Sequence, residues 1–144
     1  MPTAQKTVSL KIQAQKLWSF LIDARNIGES LGVVEKTSLA EGRVVWALKA
    51  PFSSITQTKT LEVSIDKIEE GRRMGWRAEG AHLMIQGACS LEPRGEETIC
   101  EVTLTFEPKG ALAPILRPMI EMNIGSRLEV FIKSLKERLE GSSS

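Results

Sequence analysis

The sequence predicts an α+β domain in which a curved antiparallel sheet wraps around one long C-terminal helix, in the order β-α-α-β6-α over residues 1–140. Three observations carry this expectation. A strand-like alternation opens the chain and two short helical stretches follow it; six further strand-like segments succeed one another with only short turns between them; and a long helical repeat closes the chain. A length of 144 residues suits one hydrophobic core.

Residues 7–12 (TVSLKI) alternate at period two, which predicts a strand with Val8, Leu10 and Ile12 facing inward. Residues 14–23 place Leu17, Trp18, Phe20 and Leu21 on one helical face, and a second short helix is expected over 24–31, stopped by Gly32. Strands are then expected over 33–39, 43–50, 54–68, 72–81, 83–92 and 97–107. Glu41-Gly42, Pro51-Phe52-Ser53, Glu70-Gly71 and Pro93-Arg94-Gly95-Glu96 separate them as turns, the pattern of an antiparallel meander. The closing helix is expected over 112–139, with Leu116, Met119, Ile120, Leu128, Phe131, Leu135 and Leu139 at helical spacing. Pro114 suits its first turn, whereas Pro118 predicts a late start or a kink. The polar run 141–144 (GSSS) reads as a flexible tail, or an expression remnant, outside the fold.

The last hairpin permits a register argument. With Arg94 and Gly95 at its tip, Cys89 opposes Cys100, Ile85 opposes Leu104 and Leu83 opposes Phe106 on one apolar face, while His82 opposes Glu107 on the polar face. That register makes the thiols neighbours, and a cytoplasmic setting favours two reduced core cysteines over a cross-strand disulfide.

Nineteen basic and eighteen acidic residues leave a net charge of +1, which gives no general electrostatic reason to expect nucleic acid or an anionic membrane as partner. Arg43, Lys49, Lys59, Arg72, Arg73 and Arg77 lack interleaved aromatics and read as a solvated face. Glu62, Asp66, Glu79 and Glu101 read likewise as solvated charges. Neither a secretory signal nor a run of about 18 apolar residues is seen, so a cytoplasmic protein without an integral membrane segment is expected. Two cysteines without CxxC spacing, and His82 as the only histidine, argue against metal sites and histidine relays. No metal, cofactor or catalytic residue is expected.

The order of one strand, two short helices, six strands and a long helix resembles the helix-grip architecture of the START-like superfamily, also called polyketide cyclase and dehydrase-like or SRPBCC. Ala14 to Leu21 resembles that superfamily's first helix, with Trp18 as the aromatic packing beneath the sheet. Within the superfamily the chain is most similar to the CoxG-like proteins, the carbon monoxide dehydrogenase accessory group, through Leu31-Gly32-Val33, Pro51-Phe52-Ser53 and the stretch Gly80 to Leu91. It departs from them where many have Pro-Gly in place of Leu31-Gly32, and in showing no anchored C-terminal extension, so membrane tethering is not carried over.

The resemblance implies a cavity between sheet and long helix that holds lipids, quinones, hormones or polyketides. The inward residues Trp46, Leu48, Leu61, Val63, Trp76 and Ile85 are candidate ligand contacts, as are Val102, Leu104 and Phe106. Leu116, Met119 and Asn123 extend the set onto the helix, with Gln57 and Lys59 as further polar candidates. Small residues at Ala78, Gly80 and Gly87 are expected to leave room opposite the helix, and residues 110–114 with Met119 and Met122 to form an adaptable entrance. The expected function is noncatalytic carriage of a small hydrophobic molecule, lipid-like or quinone-like, with a possible protein partner. Two alternatives stand beside it: a cyclase or dehydratase acting on an apolar substrate, and an accessory protein docking on a redox or metal-enzyme complex.

Overall fold

A computed structural model describes residues 2–140, so the polar tail lies outside the described residues. Strand β1 (Thr3–Leu10) pairs not with its neighbour in sequence but with the last strand, β7 (Glu97–Pro108). The remaining strands, β2 (Val34–Ala40), β3 (Arg43–Leu48), β4 (Thr60–Glu69), β5 (Arg73–Glu79) and β6 (Leu83–Arg94), form a meander. All seven make one antiparallel sheet in the order β1-β7-β6-β5-β4-β3-β2. Consecutive strands β1 and β2 are therefore its two edges, and helices α1 (Ala14–Leu21) and α2 (Ala24–Ser30) bridge them. Strand β2 is irregular, its register slipping between Val34 and Lys36.

Local chemistry places these elements. Leu17, Trp18 and Leu21 are the buried face of α1. Asp23 caps α2 by accepting the Arg25 backbone N–H at 3.0 Å, and Gly32 stops the turn that follows with φ +82°. The Glu41-Gly42 turn has positive φ at both residues, the geometry whose twist matches a two-residue hairpin. Helix α4 (Ala113–Leu135) turns Leu116, Ile120, Ile124, Leu128, Phe131 and Leu135 toward the sheet and ends in a π-helical turn, Lys136–Glu140. It starts at Ala113 and runs through Pro118, so the proline does not delay its start.

The concave side of the sheet is filled by a pair of tryptophans. Trp46 and Trp76 meet edge to face with centroids 5.4 Å apart, and the Trp46 Nε1–H donates to the Ala24 carbonyl at 3.0 Å. Each indole lies on a glycine. A Cβ on Gly28 would come within 2.5 Å of Trp46 Nε1, and one on Gly87 within 2.3 Å of the Trp76 ring. A Cβ on Gly80 would meet the Thr58 and Leu61 side chains at 2.6 and 2.7 Å, and Ala78 is fully buried. The small residues expected to open a void instead receive large neighbours. Burying one indole removes ~200 Å² from water, worth on the order of 5 kcal/mol before ordering costs.

Three expectations are corrected. The strand expected over 54–68 is a short helix, α3 (Phe52–Thr56), then Gln57 at φ +51°, then β4, so a helix interrupts the six-strand run. The last hairpin turns at Gly95-Glu96, because the positive φ falls on Gly95 as the first of two loop residues, with Arg94 opposite Glu97. This moves every pairing by two residues: Cys89 opposes Val102, Leu91 opposes Cys100, Ile85 opposes Phe106 and Leu83 opposes Pro108. A slip of two preserves the faces, so the inward set stands although the partners differ. The thiols are diagonal neighbours, both free and buried; the adjoining Cys100 thiol, then burial, pushes the Cys89 thiol well above the usual range. Finally, His82 does not pair with Glu107. Its N–H donates to Thr58 Oγ1 and its carbonyl accepts from Lys109 N–H, while Glu107 opposes Met84 and takes a 2.9 Å bond from Arg117.

Candidate ligand pocket

Beneath the first half of α4 the packing opens into a pocket of about 280 Å³. Helix α4 supplies one wall through Leu116, Ile120, Ile124 and Arg127, with Met119 and Asn123 on the adjoining row, a spacing of three and four residues. The facing wall is α3, through Phe52, Ile55 and Thr56. Phe106 of β7 contributes from the sheet and meets Phe52 edge to face with centroids 6.0 Å apart. Gly32, Val33 and the connection Lys49-Ala50-Pro51 complete the enclosure.

The polar side chains among these residues divide into two kinds. Thr56 Oγ1 donates to the Phe52 carbonyl at 2.9 Å and Asn123 Nδ2 to the Met119 carbonyl at 2.8 Å, each spent on its own helix. Lys49 and Arg127 make no ion pair or side-chain hydrogen bond among the described residues. The pocket lining contains no Asp, Glu, His or Cys. Its chemistry is that of a mainly apolar slot with two cations.

Four of the twelve candidate contacts meet here: Phe106, Leu116, Met119 and Asn123. The other eight are buried in the core and line no part of this pocket: Trp46, Leu48, Leu61 and Val63, then Trp76, Ile85, Val102 and Leu104. Gln57 and Lys59 are exposed and outside it as well. Sequence reasoning missed α3 altogether, and with it Phe52, Ile55 and Thr56. The available signal was Phe52, Ile55 and Thr56 at helical spacing after Pro51, inside a stretch far longer than an ordinary strand. Lys49 and Arg127 carried no such signal, since a basic residue at a strand end or on a helix usually faces water. A second depression of about 210 Å³ lies on the opposite face of the sheet, bordered by polar Asp66, Gln86, Thr103 and Thr105.

Comparison with known proteins matches this architecture. The family model for polyketide cyclase/dehydrase and lipid transport proteins matches residues 1–140, and the chain belongs to that family. Its fold is the helix-grip fold of START proteins: a START superfamily protein from Mycobacterium smegmatis superposes with a TM-score of 0.72 at 19% identity, covering 96% of this chain and 97% of that one. A conserved protein from Geobacillus kaustophilus gives 0.76 at 18% identity, over 97% and 96% of the two chains. A truncated norcoclaurine synthase from Thalictrum flavum gives 0.61 at 10% identity, over 94% and 91%. At such identities the likeness is one of fold. No curated protein is similar in sequence at a significant level. Among the described residues no helix is long and apolar enough to cross a membrane.

Proposed function

We propose that the protein binds and carries a small hydrophobic molecule, lipid-like or quinone-like, without transforming it. The observation behind this reading is the pocket under α4: about 280 Å³, close to the lower end of the ~300–1,000 Å³ usual for ligand sites, and walled mainly by apolar side chains. The family is described by lipid transport as well as by cyclase and dehydrase activity. A cyclase or dehydratase needs an acid or base beside its substrate, and among the lining side chains only Lys49 is of a type that does such work. Native mass spectrometry of the purified protein, followed by organic extraction, tests the carrier reading. A copurifying apolar compound near one equivalent supports it; an empty protein whose melting is unmoved by quinones and fatty acids sinks it.

The docking alternative has its own observation. Ile115, Met119 and Met122 stand 68%, 43% and 85% exposed along one stripe of α4, next to half-exposed Ile55 of α3. A partner enzyme, such as the carbon monoxide dehydrogenase complex suggested by the CoxG-like resemblance, would cover this stripe. Loss of a pull-down partner on Met122→Asp would support that reading, and unchanged capture would remove it.

A further inference from the structure

The pocket joins two cations to a mainly apolar wall. Its α4 side runs from Leu116 to Arg127, eleven steps along the helix, or about 16 Å at the helical rise. Phe106 and Phe52, in contact with each other, belong to the apolar part of the lining. The backbone brings the two cations to one corner. Lys49 N–H donates to the Val33 carbonyl at 3.0 Å, which fixes Lys49 beside the Gly32-Val33 corner. At that same corner a Cβ on Gly32 would lie 3.3 Å from Arg127 Nη1 and 2.9 Å from Val130. Gly32, in its left-handed conformation, thus leaves the space that Arg127 occupies.

Building on the ligand-binding reading above, we propose that the occupant is an amphipathic anion, an apolar chain or ring ending in a carboxylate, with its charged end at Lys49 and Arg127 and its apolar body toward Phe106. An ammonium and a guanidinium with no acidic partner among the described residues, both lining a mainly apolar slot, fit a two-oxygen anion and repel a cation. A carboxylate there gains charge-assisted bonds that an alcohol of equal length does not.

Calorimetric titration and thermal melting of the full chain with octanoate and with 1-octanol, probes alike in chain and different in end group, test this. Octanoate is expected to bind at least about tenfold tighter than 1-octanol. Lys49→Gln with Arg127→Gln is expected to erase that preference by lowering octanoate affinity, and Arg127→Lys to retain most of it. Met119→Trp, which fills the slot, is expected to weaken both probes. Equal affinity of the two probes for the native protein overturns the anionic end and leaves the hydrophobic-carrier reading standing. Undiminished octanoate binding by either the double variant or Met119→Trp places the anion elsewhere and overturns the assignment. Failure of both probes to bind or shift the melt overturns this proposal together with the reading on which it rests.

Discussion

The two halves of α4 meet the same sheet and end differently. From Leu128 onward, Leu128, Phe131, Ile132 and Leu135 are buried with 3% or less exposure, on the side of the molecule where α2 is stacked on Trp46. Before Leu128 the same inward stripe, Leu116, Ile120 and Ile124, faces a pocket instead of a filled core. Hydrophobicity does not separate the halves, because both stripes are apolar. The filling differs: two indoles seated on glycines occupy the packed core, whereas the five-residue α3 and a single phenylalanine from the sheet border the open region. A cavity in this fold is therefore decided by how large side chains are matched with small ones, not by how many small residues face inward.

The largest break in this comparison should come from the packed side. Gly87→Ala drives a methyl into the Trp76 ring, which must shift to accept it, and is expected to cost about 3 kcal/mol in urea unfolding. A change under about 0.5 kcal/mol would mean that the indole is not seated there. Trp46→Phe should cost about 2 kcal/mol in the same assay, by stranding the Ala24 carbonyl and leaving a small void. Asp23→Ala, which removes the cap of the helix lying on Trp46, should cost about 1 kcal/mol.

The Asp23 contribution also carries a pH signature. The bond from the Arg25 side chain, more than any other influence, holds the Asp23 carboxyl below its usual value. A lowered folded-state value means that the stabilisation is fully present above the ordinary carboxylate range, about pH 4, and is lost as pH falls through the folded value. The melting difference between native protein and Asp23→Ala should shrink below that pH; a constant difference would refute the assignment.

The smallest stability effect belongs to the open side. Met119→Trp should alter unfolding by no more than about 0.5 kcal/mol, because the added ring enters existing space, yet it should weaken uptake of an apolar ligand. An overpacking cost comparable with that of Gly87→Ala would show that the two regions are equally filled.

Most of the architecture was legible in the sequence because its strands alternate cleanly and short turns join most of them. Even the misplaced hairpin kept its faces, since an error of two residues is invisible to a pattern of period two. The α3 helix was not legible because five residues scarcely complete a helical period, and a left-handed glutamine follows them with no glycine as a signal. The pocket was legible only in part for a related reason. Alternation tells which way Trp76 points but not that its ring comes to rest on Gly87, a contact made across strands. Lys49 and Arg127 are 78 positions apart in sequence (127 − 49), and only the folded chain brings both to the corner at Gly32.

The strand order leaves the sheet unclosed, with β1 and β2 as free margins whose backbone groups could template a foreign strand. Each margin carries a deterrent. On β1, Lys6 reaches across to Glu129 of α4 at 2.7 Å, fastening the strand to its own helix. On β2, the slipped register between Val34 and Lys36, with exposed Glu35 and Lys36 at the slip, spoils the flat hydrogen-bonding ladder that an adding chain would need. Both seams of the sheet are in this way defended against recruiting a strand from a second copy of the chain.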